Sequence, residues 1–273
     1  MNSEAASLLL IGESETGKTH FGAQLLRRLS LSSGALQMNG AATNLDPFQT
    51  ALDALSEGRL AKHTPGTVYV ESLWPVRTSR AAGTIVWPDY GGEQVKNIIE
   101  TRRFPAAWRD RIIQTDHWLL MIRLRQTRLD DDLFSKPISA LSGPSATGGP
   151  GKPSDQARLI ELLQMLMHLR VGGNNANLPR LSLLLSCWDE IGGDQKPDFV
   201  LRDRLPMFRN FVLANWPDHS IVGLSALGRP LSKTVSDEEY IEKGPESFGY
   251  IVDRDGEKSA DLTLPIAQIL EAR

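Results

Sequence analysis

The residue types best suited to chemistry stand near the start of the chain, where Gly12, Glu13, Ser14, Glu15, Thr16, Gly17, Lys18 and Thr19 reproduce the spacing GxxxxGK[ST]. In such a loop the glycines let the backbone turn successive N–H groups inward around phosphate oxygens. The lysine then reaches the outer phosphates, and the hydroxyl after it ligates Mg²⁺. His20 follows directly in the helix that the loop opens, whose N-terminal dipole favours an anion. The expected ligand is a nucleoside triphosphate with Mg²⁺. A bound Mg²⁺ also calls for an acidic group at the end of a neighbouring strand, and Asp89 ends the run Thr84-Ile85-Val86-Trp87-Pro88.

These groups work only if strands and helices hold them, and the apolar periodicity supplies both. Ala6 to Ile11 reads as a short buried strand, and Thr19 to Leu29 carries Phe21, Leu25, Leu26 and Leu29 at helical spacing. Ala35 to Met38 is a candidate strand, Asp46 to Glu57 a helix, and Thr67 to Val76 with Thr84 to Pro88 a candidate hairpin. Helices are expected over Gln94 to Glu100, Trp108 to Thr115, Ser154 to Arg170 and most of Phe199 to Trp216. Strands are expected over His117 to Ile122, Arg180 to Leu185 and Ser220 to Leu224. This alternation predicts an α/β fold of the P-loop NTPase kind, three layers α/β/α around a mostly parallel sheet.

Between Arg128 and Pro153 the chain turns rich in Ser, Gly and Pro, too poor in apolar groups to pack, and reads as a flexible insertion at about 128–153. From about residue 231 a polar, irregular C-terminal extension is expected, relieved by a short helix near Ile266 to Leu270. At 273 residues with 41% apolar residues, the chain suits one large α/β domain spanning 1–273 better than two.

A net charge of -3 argues against nucleic acid as a partner. The single cysteine, Cys187, allows no internal disulfide and fits a reducing cytoplasm. No apolar run has the length of a membrane span or the basic flank of a signal peptide, so neither a membrane nor export is expected.

Several further motifs carry a family resemblance. Asp89-Tyr90-Gly91-Gly92 resembles the switch-two motif of Ras-like GTPases, which implies that the Gly92 N–H senses the γ-phosphate and that the next side chain orients water. That position holds Glu93, with Gln94 one place later, and either residue fits the water-orienting role. A carboxylate there repels the nucleotide, so hydrolysis is expected to be slow until a partner contributes an arginine. The switch-one threonine that reaches Mg²⁺ and the γ-phosphate has two counterparts, Thr64 and Thr67.

The base-reading motif NKxD is met by Ser186-Cys187-Trp188-Asp189, in which only the aspartate matches. A carboxylate accepts hydrogen bonds from the adjacent N–H donors of guanine, and adenine offers no such pair, so GTP and GDP are preferred over their adenine counterparts. The motif's lysine, which packs over the base and ties its loop to the phosphate loop, is replaced by Cys187. Trp188 is placed beside the base, and Ser225-Ala226-Leu227 matches the serine-alanine pair whose backbone meets the guanine edge.

More narrowly, the phosphate loop with His20-Phe21-Gly22, Trp87 to Gln94, Ser186 to Glu190, Leu227-Gly228-Arg229-Pro230 and Gly244-Pro245-Glu246-Ser247-Phe248-Gly249-Tyr250 resemble the bacterial double-GTPase family. That resemblance implies a GTPase-activating or effector protein as partner, in bacterial conflict or defence systems. Two other readings compete. One is a nucleotide-binding scaffold with little hydrolysis; the other is an ATPase or P-loop kinase, for which no acceptor site is evident.

Overall fold

The computed structural model describes residues 6–61, 70–89, 93–127, 154–173, 177–192 and 195–272. Strand β1 (Ala6–Gly12) alternates its side chains between two cores, as a strand buried on both faces must. Leu8 and Leu10 pack on one side with Phe21, Leu25 and Leu29 of helix α1 (Lys18–Leu31). Leu9 and Ile11 face the opposite layer. The same alternation recurs in β5 (His117–Ile122), where Leu119 and Met121 join the first core and Trp118, Leu120 and Ile122 the second.

The remaining strands are β2 (Gln37–Met38), β3 (Val70–Arg77), β4 (Ala82–Asp89), β6 (Arg180–Ser186), β7 (Ser220–Ser225), β8 (Tyr250–Val252) and β9 (Lys258–Ser259). They lie in the order β2-β3-β4-β1-β5-β6-β7-β8-β9. The centre, β4-β1-β5-β6-β7, is parallel, and both margins are antiparallel. Helix α2 (Asp46–Ser56) joins α1 and the C-terminal α9 (Leu264–Glu271) over one face. Helices α3 (Glu93–Thr101), α4 (Ala106–Gln114), α5 (Asp155–Gly172), α6 (Pro197–Arg204) and α7 (Pro206–Asn215) cover the other. The result is a three-layer α/β/α fold around a mostly parallel sheet, with a glycine loop between β1 and α1. Because the central strands are parallel, Gly12, Asp89, Ile122, Ser186 and Ser225 all stand at their C-terminal ends, the edge where open α/β sheets bind ligands.

Two expectations need correction. The helix expected from Phe199 to Trp216 is two helices, because Pro206 bars its predecessor from helical geometry and Leu205 turns out to φ -135°, ψ 60°. The extension from about residue 231 is not irregular. It forms helix α8 (Glu238–Lys243) and strands β8 and β9, with Tyr240, Ile251 and Val252 buried. Its elements are only two to six residues long, too short for the periodicity of a helix or strand to emerge from polar surroundings. The expected hairpin is present, with β3 and β4 paired in antiparallel register from Val70 opposite Asp89 to Arg77 opposite Ala82. Thr64, Thr67, Gly92 and the 128–153 insertion lie outside the described residues.

Candidate functional site

Gly12 ends β1 where no side chain fits. A Cβ there would approach the Thr16 hydroxyl to 2.9 Å and Met121 Cβ to 3.2 Å. The chain then turns through Glu15 at φ 63° and Gly17 at φ 82°, left-handed conformations that curl the loop back on itself before α1 begins at Lys18. The Thr16 hydroxyl donates to the Glu13 carbonyl at 3.0 Å. Lys18, only 8% exposed, donates from Nζ to the carbonyls of Gly12 and Glu13 at 2.8 and 2.7 Å. Its ammonium is thereby held across the mouth of the loop, where arriving phosphate oxygens would find a fixed positive charge.

A cavity of about 530 Å³ opens from this loop along the C-terminal sheet edge. The residues from Ser14 to His20, Cys187, Asp189, Ala226 and Leu227 all line it, so the phosphate loop and both base motifs meet in one space. Ser186, Arg123 and Arg229 line it too, as do Leu60, Ala61 and Leu231, apolar positions that carry no motif signal in the sequence. The Leu60 N–H donates to the Ser232 carbonyl at 2.9 Å, and Leu60, Ala61, Leu227 and Leu231 give the cavity an apolar wall beside Asp189's loop.

At that end Ser225, fully buried, donates to Asp189 Oδ1 at 2.5 Å and accepts from the Gly228 N–H at 3.0 Å. One carboxylate oxygen of Asp189 is thus oriented by the serine of the other motif, which holds an acceptor in a fixed direction at the cavity wall. Cys187 adopts φ 53°, ψ 45° and faces the phosphate loop; a Cβ on Gly17 would sit 3.9 Å from its sulfur. Burial pushes its thiol up to about 11, against the opposing pull of the Arg123 guanidinium, so it is neutral at physiological pH.

Trp188 departs from expectation. Its indole turns into the core, 1% exposed, beneath Gly223, where a Cβ would come within 2.6 Å of the ring. The αL turn at Cys187 reverses the chain and sends Trp188 inward while Asp189 returns to the cavity, a geometry that residue spacing alone does not reveal.

Arg123 leaves the end of β5 and joins two loops. It donates to both carboxylate oxygens of Glu190, at 3.0 Å from Nε and in a shorter contact from Nη2, and to the Glu15 carbonyl at 3.1 Å. The hydrogen bond to Glu190 is the main cause of its raised pKa. The tie between phosphate loop and base loop that NKxD obtains from its lysine is made here by an arginine from a different strand. A second ion-paired arginine, Arg158 of α5, meets Glu13 and, at 2.9 Å, Asp155 beside a smaller cavity of about 160 Å³ next to the loop.

His20 lines the large cavity and accepts the Ala61 N–H at Nε2, 3.2 Å away. Burial pushes its pKa down to about 4, so the ring is neutral at physiological pH. Glu93 is exposed at the first turn of α3, whereas Gln94 is half-buried and its Oε1 accepts the Trp108 indole N–H at 3.2 Å. Asp89 ends β4 at the sheet edge beside β1.

The family described as Double-GTPase 1 matches residues 9–269 of the chain. No curated protein matches it. Among solved structures it is similar to a bacterial selenocysteine-specific elongation factor, EF-Sec, at 9% identity and a TM-score of 0.38 over 82% of this chain and 26% of that one. The chain thus spans about a quarter of that protein's length.

Proposed function

This chain belongs to the Double-GTPase 1 family, and on that premise we propose that it binds GTP in the cavity between the phosphate loop and Asp189 and hydrolyses it to GDP and phosphate. The observation that carries the reading is the Ser225–Asp189 hydrogen bond. It presents an oriented acceptor on the wall of the cavity that Lys18 also lines, suited to the paired donors of guanine and mismatched to adenine.

In this reading the N–H groups between Glu13 and Lys18, with the Lys18 ammonium, bind the phosphates. The residues at hand suit Mg²⁺, which prefers hard oxygen donors and keeps most of its shell for water and phosphate. The Thr19 hydroxyl would ligate it, Asp89 would stand behind, and Thr64 or Thr67 would complete the set. The ion would neutralise charge between the β- and γ-phosphates. Gly92 would present its N–H to the γ-phosphate. Of the two water-orienting candidates, Glu93 is favoured, because Gln94 is engaged by Trp108.

Attack of water on the γ-phosphorus breaks its bond to the bridging oxygen, which leaves on GDP; the water proton passes to solvent or phosphate. Glu93 beside the phosphates adds negative charge, so turnover is slow until a protein partner supplies a cation. Residues 1–273 act as one GTPase domain in this account, in the cytoplasm and in a conflict or defence setting. Phosphate release from GTP and ATP, measured with and without an activating partner, tests the reading. GTP turnover lost in Lys18→Ala supports it. Tight GTP binding without turnover in either condition would favour the scaffold alternative, and preferential ATP turnover would favour the ATPase.

A further inference from the structure

The segment Gly244-Pro245-Glu246-Ser247-Phe248-Gly249-Tyr250 has no part in the mechanism above, yet it is packed both against the 225–228 loop and against the helix that opens at Lys18. Strand β8 pairs antiparallel with β7 so that Tyr250 stands opposite Ser225. Just before it, Gly249 at φ 89° lies so close to the base loop that a Cβ would come within 2.6 Å of the Ala226 carbonyl oxygen and 3.1 Å of that of Ser225. From the other side, a Cβ on Gly228 at φ 75° would reach Gly249 N at 2.8 Å. These are contacts between backbones, so no side-chain movement relieves them. The loop they press on carries Ser225, whose hydroxyl orients Asp189.

The other end of the segment is fastened to the helix that carries the phosphate-loop lysine. Gln24 and Arg28 of α1 are buried at 0% and 4% exposure. Gln24 Nε2 donates to Tyr240 Oη at 2.7 Å and to the Pro245 carbonyl at 3.0 Å. Arg28 donates to the Phe248 carbonyl and, at 2.7 Å, to Gln24 Oε1. The Phe248 ring stacks on Tyr240 at 4.3 Å and carries the Arg229 guanidinium at 4.7 Å on its face. A buried charge hydrogen-bonded to backbone on a separate element makes a rigid joint, because breaking it leaves a polar group without water.

We infer that residues 237–250 are the specificity-determining buttress of the base-reading loop, holding Ser225 and Asp189 at a fixed distance from the phosphate helix so that base and phosphates are engaged together. The inference rests on the reading that the cavity takes a guanine nucleotide. It locates part of the guanine preference in Gly249 and Phe248, which act through the 225–228 loop as positioning residues.

The test is a competition measurement on the full chain with GDP, ADP and pyrophosphate as probes, comparing wild type with Gly249→Ala. The Ala226 and Ser225 carbonyls must yield to the new methyl, so GDP affinity is expected to fall about tenfold or more. Pyrophosphate affinity should stay within about twofold, and the preference for GDP over ADP should shrink. Should Gly249→Ala fail to fold, Phe248→Leu retains apolar volume while losing the aromatic stack and the Arg229 contact, and is expected to weaken GDP about three- to tenfold in the same selective manner. Equal losses for GDP and pyrophosphate, or an unchanged GDP affinity, in a folded variant would overturn the inference alone. A wild-type chain that binds GDP no better than ADP would overturn the guanine reading, and the inference with it.

Discussion

Replacing Arg123 with methionine keeps most of the aliphatic stem and removes the guanidinium that joins the phosphate loop to Glu190. Arg123 and Glu190 side chains are 24% and 17% exposed, so the pair is neither a screened surface contact nor a fully desolvated one. A fully exposed pair would contribute about 0–1 kcal/mol, and bidentate, partly buried geometry places this one near the upper end. The hydrogen bond to the Glu15 carbonyl is charge-assisted and contributes about 1–2 kcal/mol more, partly by holding Glu15 in its left-handed turn. The total is about 2–3 kcal/mol. Without the clasp both loops must be ordered at the moment of binding, so most of that sum should appear as weaker nucleotide affinity, about 10- to 30-fold for GDP. Titration calorimetry with wild type, Arg123→Met, Glu190→Gln and the double variant measures it. The double variant should bind better than Arg123→Met alone, because Glu190 is otherwise left as an unpaired carboxylate near Asp189. Affinities within about twofold of wild type in both single variants, with no coupling between them, would refute the clasp.

Other consequences concern single side chains. If the proposed site holds, Asp189→Asn replaces an acceptor for guanine's N–H donors with a group able to donate, so GDP affinity should fall by about 10²-fold or more while xanthosine diphosphate gains, as read by competition binding. His20 has a folded pKa of about 4, below its unfolded value near 6.5. The unfolded chain therefore binds the extra proton between those values, and stability should fall as pH drops from about 6.5 to 4, by up to about 3 kcal/mol. His20→Gln keeps an acceptor for the Ala61 N–H and should flatten that slope in denaturant titrations at several pH values; an unchanged slope would assign it to other groups. Trp188→Ala should lower stability by about 3–5 kcal/mol, because the indole fills the core under Gly223. Loss of nucleotide affinity with no change in unfolding midpoint would instead put the ring beside the base. Glu93→Gln keeps a polar group able to orient water while easing repulsion at the γ-phosphate, so partner-free GTP turnover should rise; a decrease would show that the carboxylate itself is required.

The sequence made the central sheet legible because its strands are mostly buried, largely apolar runs, such as Trp118 to Ile122 and Leu181 to Leu185, separated by clear helical patterns. The phosphate loop was legible for a different reason: its glycines and lysine are demanded by backbone geometry at fixed spacing, as the blocked Cβ position at Gly12 illustrates. The margins were not. Strand β8 is three residues long, and its neighbours in the sequence are Gly, Pro and charged residues that read as turns. The role of Arg123 was invisible because its partners, Glu15 and Glu190, are distant in sequence and the bond to Glu15 is to a backbone carbonyl, which every residue possesses. Trp188 misled for the converse reason. Its position in the motif is adjacent to Asp189, but a single left-handed residue at Cys187 sends the two side chains to opposite destinations.

The central claim is that Lys18 and Asp189 grip the two ends of one guanine nucleotide. Competition of unlabelled GDP and ADP against a fluorescent guanine nucleotide on the wild-type chain in Mg²⁺ tests it most directly. The account predicts that GDP displaces the probe at concentrations about 10²-fold or more below those of ADP, as expected when a buried acceptor is satisfied by one base and left unpaired by the other. Equal displacement by the two would contradict it.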